Sequence, residues 1–301
     1  MSTTHGVFFN MRKIPVTFLM AELPEDEKAL ALKVDEYAAA GVKHIVLSNQ
    51  MILNIMKDYT LADRYRKIFN AAGLDFMDAH SPFGGVLDMN CPDQRFRPQM
   101  LLRHRMAILI AASLGVNTIT IHPGSDRFFP EIPLTNHLDL MRDSIARLLP
   151  EAEKAGVTIC IENSMSRAAC PRAVTMLKSE FCSPYLGLCY DSGHAHQLDA
   201  GRHSPGGTIW KFWQTVGIDE PEWDSRALER MLPEMVNCHL HDNDGSDDTH
   251  SIPGAGTLDW GKTVPALLQA PKLRSIQCEV LTEPRYTIEQ VYNKFAEMFN
   301  L

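Results

Sequence analysis

The sequence predicts an α/β fold, a single (β/α)8 TIM barrel that spans residues 1–301 as one domain. Three observations predict it. The chain of 301 residues is long enough to bury a large core. Short apolar or β-branched runs alternate with longer helical patterns almost to the end of the chain. Eight such strand and helix units indicate a parallel sheet that closes on itself.

Eight runs rich in apolar and β-branched residues are typical of buried strands. In chain order they are VTFLM (16–20), HIVLS (44–48), LDFMDAH (74–80), NTITIH (117–122), VTICIE (157–162), YLGLCYD (185–191), VNCHLH (236–241) and SIQCEV (275–280). The first strand has an alternative in GVFFN (6–10), a second apolar run near the start of the chain.

Stretches with helical periodicity follow most of these strands. They are EDEKALALKVDEYAAAG, LADRYRKIFNAAG, RPQMLLRHRMAILIAASLG, LTNHLDLMRDSIARLLPEAEKAG, AVTMLKSEF, TVPALLQA and TIEQVYNKFAEMF. Four of them end in a glycine just before the next strand, where a left-handed C-cap is expected: Gly41, Gly73, Gly115 and Gly156.

Two further features concern the organisation of the chain. A doubly wound open sheet is the alternative fold, but no GxGxxG motif follows the first strand. The longest stretch without a regular pattern, roughly residues 195–225, carries Trp210, Trp213 and Trp223. We expect this irregular insert to form a cover near the functional site of the barrel. We interpret its tryptophans as packing residues rather than as residues that stack on a ligand.

Composition limits the class of partner. The net charge of −8 gives no general attraction for a polyanion, so a small molecule is expected and nucleic acid is not. The seven cysteines form no CxxC pair and are expected to be buried, reduced thiols. No signal pattern and no membrane-length apolar run is evident, which predicts a cytoplasmic protein without a membrane partner. The sequence leaves a homo-oligomer open.

Polar residues recur where the predicted strands end. Six of the eight strands end on or beside His, Asp or Glu: His80, His122, Glu162, Asp191 with His194, His239 with His241, and Glu279. Each alone is readily explained as a structural histidine or a helix N-cap. In a barrel, however, these positions converge on the C-terminal face, where active sites lie. One shared cause, a divalent metal site, explains all six.

The residue types narrow the choice of metal. Carboxylates from Glu162, Asp191 and Glu279 with an imidazole from His239 form an oxygen-rich set. Such a set favours Mn²⁺, Mg²⁺ or Co²⁺, and further histidine ligands would favour Zn²⁺. His239 and His241 share one face of the strand. We assign His239 as the ligand because it lies deeper in the strand, and His241 to a supporting or substrate-binding role.

Several motifs then resemble one known group. They are HSPFGGVLDMNCPD (80–93), IHPG (121–124), CIEN (160–163), YDSGH (190–194) and HLHDNDGSDDTHSIPGAGTLDW (239–260). Over about residues 74–282 the chain resembles the sugar isomerase and epimerase superfamily with xylose isomerase-like barrels. The resemblance implies a metal held by Glu162, Asp191, His239 and Glu279, with Glu162 and Glu279 as the proton-transfer residues.

The same superfamily includes endonuclease IV, a trinuclear zinc enzyme that cuts DNA at abasic sites. Its ligand pattern matches His80, His122, Glu162, Asp191, His194, His239, Asp248, His250 and Glu279. The Asp-x-His pair also recurs in the sugar-acting relatives, so the number of metals stays open. A zinc-dependent abasic-site endonuclease is therefore an alternative, although the net charge of −8 argues against it.

The leading hypothesis is isomerisation or epimerisation of a small sugar or keto-sugar through an enediolate. One glutamate would take the proton beside the carbonyl and the other would return it. Residues expected to contact substrate or to support the ligands are His80, His122, His194, His241, Asp248, His250 and Arg285, the last as a partner for a carboxylate or phosphate. Alternatives are a sugar or inosose dehydratase on the same barrel and a barrel that only binds its ligand.

Overall fold

The computed structural model describes residues 13–301, and its centre is a closed barrel of eight parallel strands in chain order. Each strand pairs with the next, and the first pairs with the last. The strands are β1 (Val16–Phe18), β2 (His44–Leu47), β3 (Asp75–His80), β4 (Thr118–Ile121), β5 (Thr158–Glu162), β6 (Leu186–Asp191), β7 (Met235–Leu240) and β8 (Ser275–Cys278). The predicted α/β TIM-barrel fold is confirmed.

Helices surround this barrel and connect its strands. They are α1 (Glu27–Ala39), α2 (Asn49–Lys57), α3 (Thr60–Ala71), α4 (Arg97–Ser113), α5 (Leu134–Ala155), α6 (Pro171–Ser179), α7 (Ser192–Ala200), α8 (Thr208–Thr215), α9 (Ala227–Met231), α10 (Trp260–Leu268) and α11 (Ile288–Phe299). Among the described residues, none of these helices combines the length and hydropathy that crossing a membrane requires.

Local sequence explains where several helices begin and end. Asp26 accepts hydrogen bonds from the first backbone N–H groups of α1, and Thr287 and Gln290 form a capping box at α11. Gly156 ends α5 with φ at +70°, a left-handed conformation that costs glycine little. The glycines predicted to follow α1, α3 and α4 also have positive φ, as expected of C-caps.

The strands separate an apolar layer, between the sheet and the helices, from the polar interior at the C-terminal end of the barrel. Alternate residues of a strand face opposite sides of the sheet, so each strand serves both. In β5, Ile159 and Ile161 join the main apolar cluster between sheet and helices, whereas Glu162 lies against His239 of β7 across the barrel. The C-terminal strand ends therefore bring polar side chains together on a rigid apolar support.

Two expectations differ from the structure. The insert at about residues 195–225 was expected to be irregular, but most of its first half is helical in α7 and α8. The helical pattern there is short and is interrupted by Gly201, Gly206 and Gly207. The first strand agrees with VTFLM but ends at Phe18. The alternative GVFFN (6–10) and the N-terminal segment considered for a signal pattern lie outside the described residues.

Candidate metal centre and substrate cavity

Four of the predicted ligands meet at the C-terminal end of the barrel. Glu162 and Asp191 are the last residues of β5 and β6, His239 precedes the end of β7, and Glu279 follows β8. One ligand atom of each lies within 4.8 Å of the others, and all four side chains are buried. Barrel closure places β5 to β8 side by side, which explains why residues so distant in sequence converge.

One edge of the His239 ring faces both glutamates, and the other faces Thr120. Its Nδ1 is 3.1 Å from Glu162 Oε1 and 3.2 Å from Glu279 Oε1. Its Nε2 is 3.3 Å from the Oγ1 of Thr120 on β4. If Nε2 carries the proton, it donates to the Thr120 hydroxyl and leaves the lone pair of Nδ1 facing the carboxylates. This is the orientation in which an imidazole can serve as a ligand beside them.

The electrostatics of the cluster require positive charge. Burial raises the pKa of Glu279, but the neighbouring His239 outweighs it and brings that pKa to about 2. Burial also raises the pKa of Glu162, yet His239 and His122 hold it well below its usual range. Burial lowers the pKa of His239, whereas the carboxylates raise it well above its usual value. The carboxylates thus strongly favour a cation between them.

The donor set fits a divalent cation. Three buried carboxylates, Glu162, Asp191 and Glu279, surround one imidazole, and within residues 13–301 no Lys or Arg nitrogen lies within 4.0 Å of them. Buried charges are costly unless they are paired or coordinate a metal. A cation held by Glu162, Asp191, His239 and Glu279 would neutralise the cluster, and mixed oxygen and nitrogen ligands suit Mn²⁺, Mg²⁺, Co²⁺ or Zn²⁺.

A second group of predicted residues adjoins Asp191. His241 Nε2 is 3.2 Å from Asp191 Oδ2, and its ring stacks on that of His250 with centroids 3.9 Å apart. Asp248 Oδ2 lies 3.3 Å from both His194 Nε2 and His250 Nε2. Burial lowers the pKa of His250, but Asp248 outweighs it and raises that pKa to about 9. These side chains form a charged wall beside the first cluster.

His80 and His122 lie on the other side of Glu162. His122 Nε2 is 2.9 Å from Glu162 Oε2, and His80 Nε2 is 3.5 Å from the same oxygen. The ring of Phe83 stacks on His122 with centroids 4.2 Å apart, which fixes the imidazole beside the carboxylate. Glu162 therefore belongs to two groups of residues that could hold a metal ion: one with His80 and His122, the other with Asp191, His239 and Glu279.

A cavity of about 270 Å³ opens in front of Glu162. This volume is near the lower end of the range for small-molecule sites. Of the predicted residues, four line it: His122, Glu162, His194 and Asp248. The cavity is also lined by Phe212 of α8 and by Arg127, which lies in a 3-10 turn after β4. The insert thus contributes to the cavity, as expected of a cover.

The tryptophans of the insert pack rather than line this cavity. Trp213 is buried against Leu198 and Ile209 and donates its indole N–H to the Met165 carbonyl at 3.0 Å. Trp210 donates its N–H to a backbone carbonyl of the insert. The packing interpretation is in keeping with these contacts, and the aromatic wall of the cavity comes from Phe83, Phe128 and Phe212 instead.

Arg285 is the predicted site residue that the structure places apart from the others. Its side chain is exposed and donates to the Thr249 carbonyl at 3.0 Å. It lines a separate surface depression next to Tyr286, not the cavity in front of Glu162. Its guanidinium therefore supports the loop that carries Asp248 and His250.

Sequence reasoning missed three residues that shape this site. Thr120 sits in a strand pattern and carries no signal of its own. Arg127 follows the IHPG motif and is flanked by phenylalanines, which is a weak signal. Asp242 falls within the 239–260 motif without an assigned role, yet it is fully buried and accepts hydrogen bonds from the N–H groups of Gly254, Leu258 and the Trp260 indole. It holds together the loop that follows β7.

Comparisons with known proteins agree with this architecture. An uncharacterised protein of Sinorhizobium fredii, y4fM, is 27% identical over 174 residues, which cover 56% of this chain and 47% of that protein. The chain thus spans about half the length of this curated relative.

Two solved structures share the fold. The 3-keto-D-glucoside 4-epimerase YcjR from E. coli superposes with a TM-score of 0.67 at 14% identity, over 96% of this chain and all of that one. A xylose isomerase-like TIM barrel protein from Mycobacterium smegmatis in complex with magnesium gives a TM-score of 0.69 at 12% identity, over 95% and 96% of the two chains.

A family model supplies the assignment. The family described as xylose isomerase-like TIM barrel matches residues 34–295, which include all eight strands except β1 and all predicted ligands. The match agrees with the closed barrel and with the motifs that resemble this group. The chain belongs to the xylose isomerase-like TIM barrel family.

Proposed function

We propose that this protein is a divalent-metal-dependent isomerase or epimerase of a small sugar or keto-sugar. One observation carries the proposal: the ligand atoms of Glu162, Asp191, His239 and Glu279 lie within 4.8 Å of one another. Glu162 also faces a cavity of small-molecule size. Two buried carboxylates that flank one cation are suited to moving a proton on a molecule bound between them.

The proton-transfer roles follow from position. Glu162 lines the cavity, so we assign it the removal of the proton from the carbon beside the carbonyl. The electrons of that C–H bond enter an enediolate of the sugar. Glu279, whose Oε1 lies beside the same Nδ1 of His239, returns a proton to the adjacent carbon or to the opposite face. Both glutamates are ionised at neutral pH because their pKa values are lowered. Glu279 must therefore first take up from solvent the proton that it returns, and Glu162 releases to solvent the proton that it removed.

The metal supplies one element of this chemistry. When bound, a divalent cation would polarise the carbonyl and neighbouring hydroxyl of the sugar and so lower the cost of forming the enediolate. The protein's own residues would orient the sugar. His122 and His194 line the cavity, so their imidazole rings would contact the bound sugar.

Two overlapping groups keep the endonuclease as a second candidate. His80, His122 and Glu162 form one metal-capable group, and His241, His250 and Glu279 form another. A trinuclear centre would use such groups. The net charge of −8 and the small volume of the cavity favour a sugar substrate over a duplex. Metal analysis of the purified protein, together with nicking assays on abasic-site DNA at several salt concentrations, tests this alternative.

The decisive experiment measures exchange of substrate protons with solvent. The protein is stripped with chelator, reloaded with Mn²⁺, Mg²⁺, Co²⁺ or Zn²⁺, and incubated in D2O with ketoses, aldoses and keto-acids. We expect deuterium to enter the carbon beside the carbonyl, with no loss of water from the product. Loss of water would identify a dehydratase.

Glutamine variants connect this exchange to the two glutamates. Glu162→Gln and Glu279→Gln should lower the exchange rate by about 10²- to 10⁴-fold, since each removes a general base or acid. Glu297→Gln, on the exposed face of α11, is the matched control and should exchange at the wild-type rate. Undiminished exchange in both site variants would contradict the proposal.

A further inference from the structure

Arg127 occupies an unusual position at the far wall of the cavity. It lies in the 3-10 turn after β4 and lines the same cavity as Glu162. Its guanidinium carbon is 3.8 Å from the ring centroid of Phe212 and 4.6 Å from that of Phe128. The two rings hold a half-buried cation at a fixed place in the substrate space.

This cation has no anionic partner in the described part of the chain. Its Nε is buried without a hydrogen-bond acceptor, and no carboxylate oxygen lies within 4.0 Å of the guanidinium. Two other arginines in this part of the barrel are neutralised. Arg167 Nε, in the neighbouring loop, is 2.9 Å from Asp126 Oδ2, and Arg97 Nη2 is 2.6 Å from Asp143 Oδ2. Among the described residues, Arg127 is the arginine that lines this cavity, and it has no such partner.

Asp88 is the acidic residue whose charge acts on Arg127, but its carboxylate already accepts a hydrogen bond from elsewhere. Asp88 lines the same cavity and its charge acts on Arg127, but its Oδ1 accepts the Gly84 N–H at 2.7 Å. Its oxygens remain farther than 4.0 Å from the guanidinium. A half-buried cation that is left unpaired costs stability. Such a group is commonly retained where a ligand completes the pair.

The geometry of a guanidinium against aromatic rings selects a type of ligand. Contact with ring faces leaves the N–H groups along the guanidinium edge free to donate. Two parallel N–H groups match the two oxygens of a carboxylate or of a phosphate. A neutral sugar hydroxyl offers no comparable charge.

We propose that Arg127 binds an anionic group of the substrate, which makes the substrate a sugar acid or a sugar phosphate. The inference rests on the proposed function, because it takes Glu162 as the group that acts on the sugar carbons in the same cavity. It goes further in naming a substrate class and the residue that selects it.

The test compares matched ligands that differ only in charge. Calorimetric titration of the metal-loaded protein uses D-fructose, D-fructuronate and D-fructose 6-phosphate, and the corresponding tagatose series. We expect the carboxylate or the phosphate to bind roughly 10- to 100-fold more tightly than the neutral sugar, as for hydrogen bonds to a charged group. The anion that shows the larger increase in affinity over the neutral sugar decides whether the substrate is a sugar acid or a sugar phosphate.

Four variants locate the effect. Arg127→Gln should abolish the preference for the anionic sugar. Arg127→Lys, which keeps the charge but not the fork of parallel N–H groups, should retain part of that preference. Arg226→Gln, a fully exposed arginine paired with Glu229, is the control. Arg285→Gln tests the arginine that the sequence pointed to. Melting curves identify any variant that fails to fold.

The outcomes separate this inference from the proposed function. Equal or absent binding of neutral and anionic sugars by the wild type would overturn the role of Arg127. So would an equal weakening of all ligands by Arg127→Gln, which would indicate only packing of α8, or loss of the preference in Arg285→Gln alone. Proton exchange on a neutral sugar without an anion preference would leave the proposed function intact. An anion preference without any proton exchange would support the role of Arg127 and contradict the proposed function.

Discussion

At the scale of single residues, the site depends on what holds His239. The ring sits between Glu162 and Glu279 on one side and Thr120 on the other. The Thr120 hydroxyl is the hydrogen-bond partner available to Nε2, so it sets which nitrogen faces the carboxylates. Groups behind a metal ligand commonly determine its orientation and basicity.

Replacing Thr120 with valine tests this role. Thr120→Val keeps the shape of the side chain but removes the acceptor for the Nε2 proton. We expect metal affinity to fall about 10- to 100-fold while the fold is kept, as for other partners of metal ligands. Titration with Mn²⁺ or Zn²⁺ measures the change.

A matched control lies on the same strand. The Thr118 hydroxyl is buried without a hydrogen-bond partner, so Thr118→Val removes an equivalent group that supports nothing in the site. Its metal affinity should equal that of the wild type. If both variants bind metal as the wild type does, His239 is not oriented through Thr120.

At the scale of elements, the loop after β7 is organised by Asp242. This loop carries Asp248 and His250, and it returns to form an isolated bridge between Asp242 and Ser251. Gly256 approaches so closely that a Cβ atom there would lie 2.4 Å from Asp242 Oδ1. This acid-rich loop is therefore built around one buried carboxylate.

The substitution Asp242→Asn should loosen this loop. Three N–H groups donate to the Asp242 carboxylate. An asparagine amide would remove the negative charge and place its own N–H donor against these donors. We expect the free energy of unfolding to fall by about 2–4 kcal/mol, since hydrogen bonds to charged groups contribute more than neutral ones. Urea denaturation provides the measurement.

The exposed neighbour Asp244 offers the control. It accepts only from Ser246 within its own turn, so Asp244→Asn should change the stability by less than about 0.5 kcal/mol. Equal effects of the two substitutions would mean that the loop is held by something other than Asp242.

At the scale of the whole molecule, strands β5 to β8 close the barrel around three buried carboxylates. A cation that binds the folded chain but not the unfolded one stabilises the fold. We expect removal of the metal by chelator to lower the melting temperature, and reloading at about 100 times Kd to restore roughly 2.7 kcal/mol. Calorimetry of the two forms checks this. A melting temperature indifferent to every divalent ion would argue against the metal centre.

The size of this stabilisation should depend on pH. The pKa of His239 is raised in the metal-free protein, so its protonation stabilises the fold fully below its unfolded pKa of about 6.5 and less as pH rises through the raised pKa. A ligating imidazole must be unprotonated. The metal therefore competes with a proton, and the stabilisation it gives should grow as pH rises. Paired melting curves with and without metal across this range test the sign.

Much of the fold could be predicted because it is encoded locally. Alternating strand and helix patterns and the glycines that end helices gave the order and nearly the bounds of the barrel. The residues at strand ends, such as Glu162 and Asp191, could be predicted as a group because parallel strands in a barrel all present the same end. The helices α7 and α8 could not, since their pattern is short and interrupted by glycine.

The sequence by itself determined the barrel and the set of acidic and imidazole groups at its C-terminal rim. Only the tertiary structure decided how those groups divide around His239, that Arg285 faces outward, and that Arg127 stands without a partner. The physical reason is that packing between segments distant in sequence determines which hydrogen-bond and ion-pair partners a side chain has. A strand pattern fixes the face on which a side chain lies, but neighbours from other strands and loops fix what it meets there.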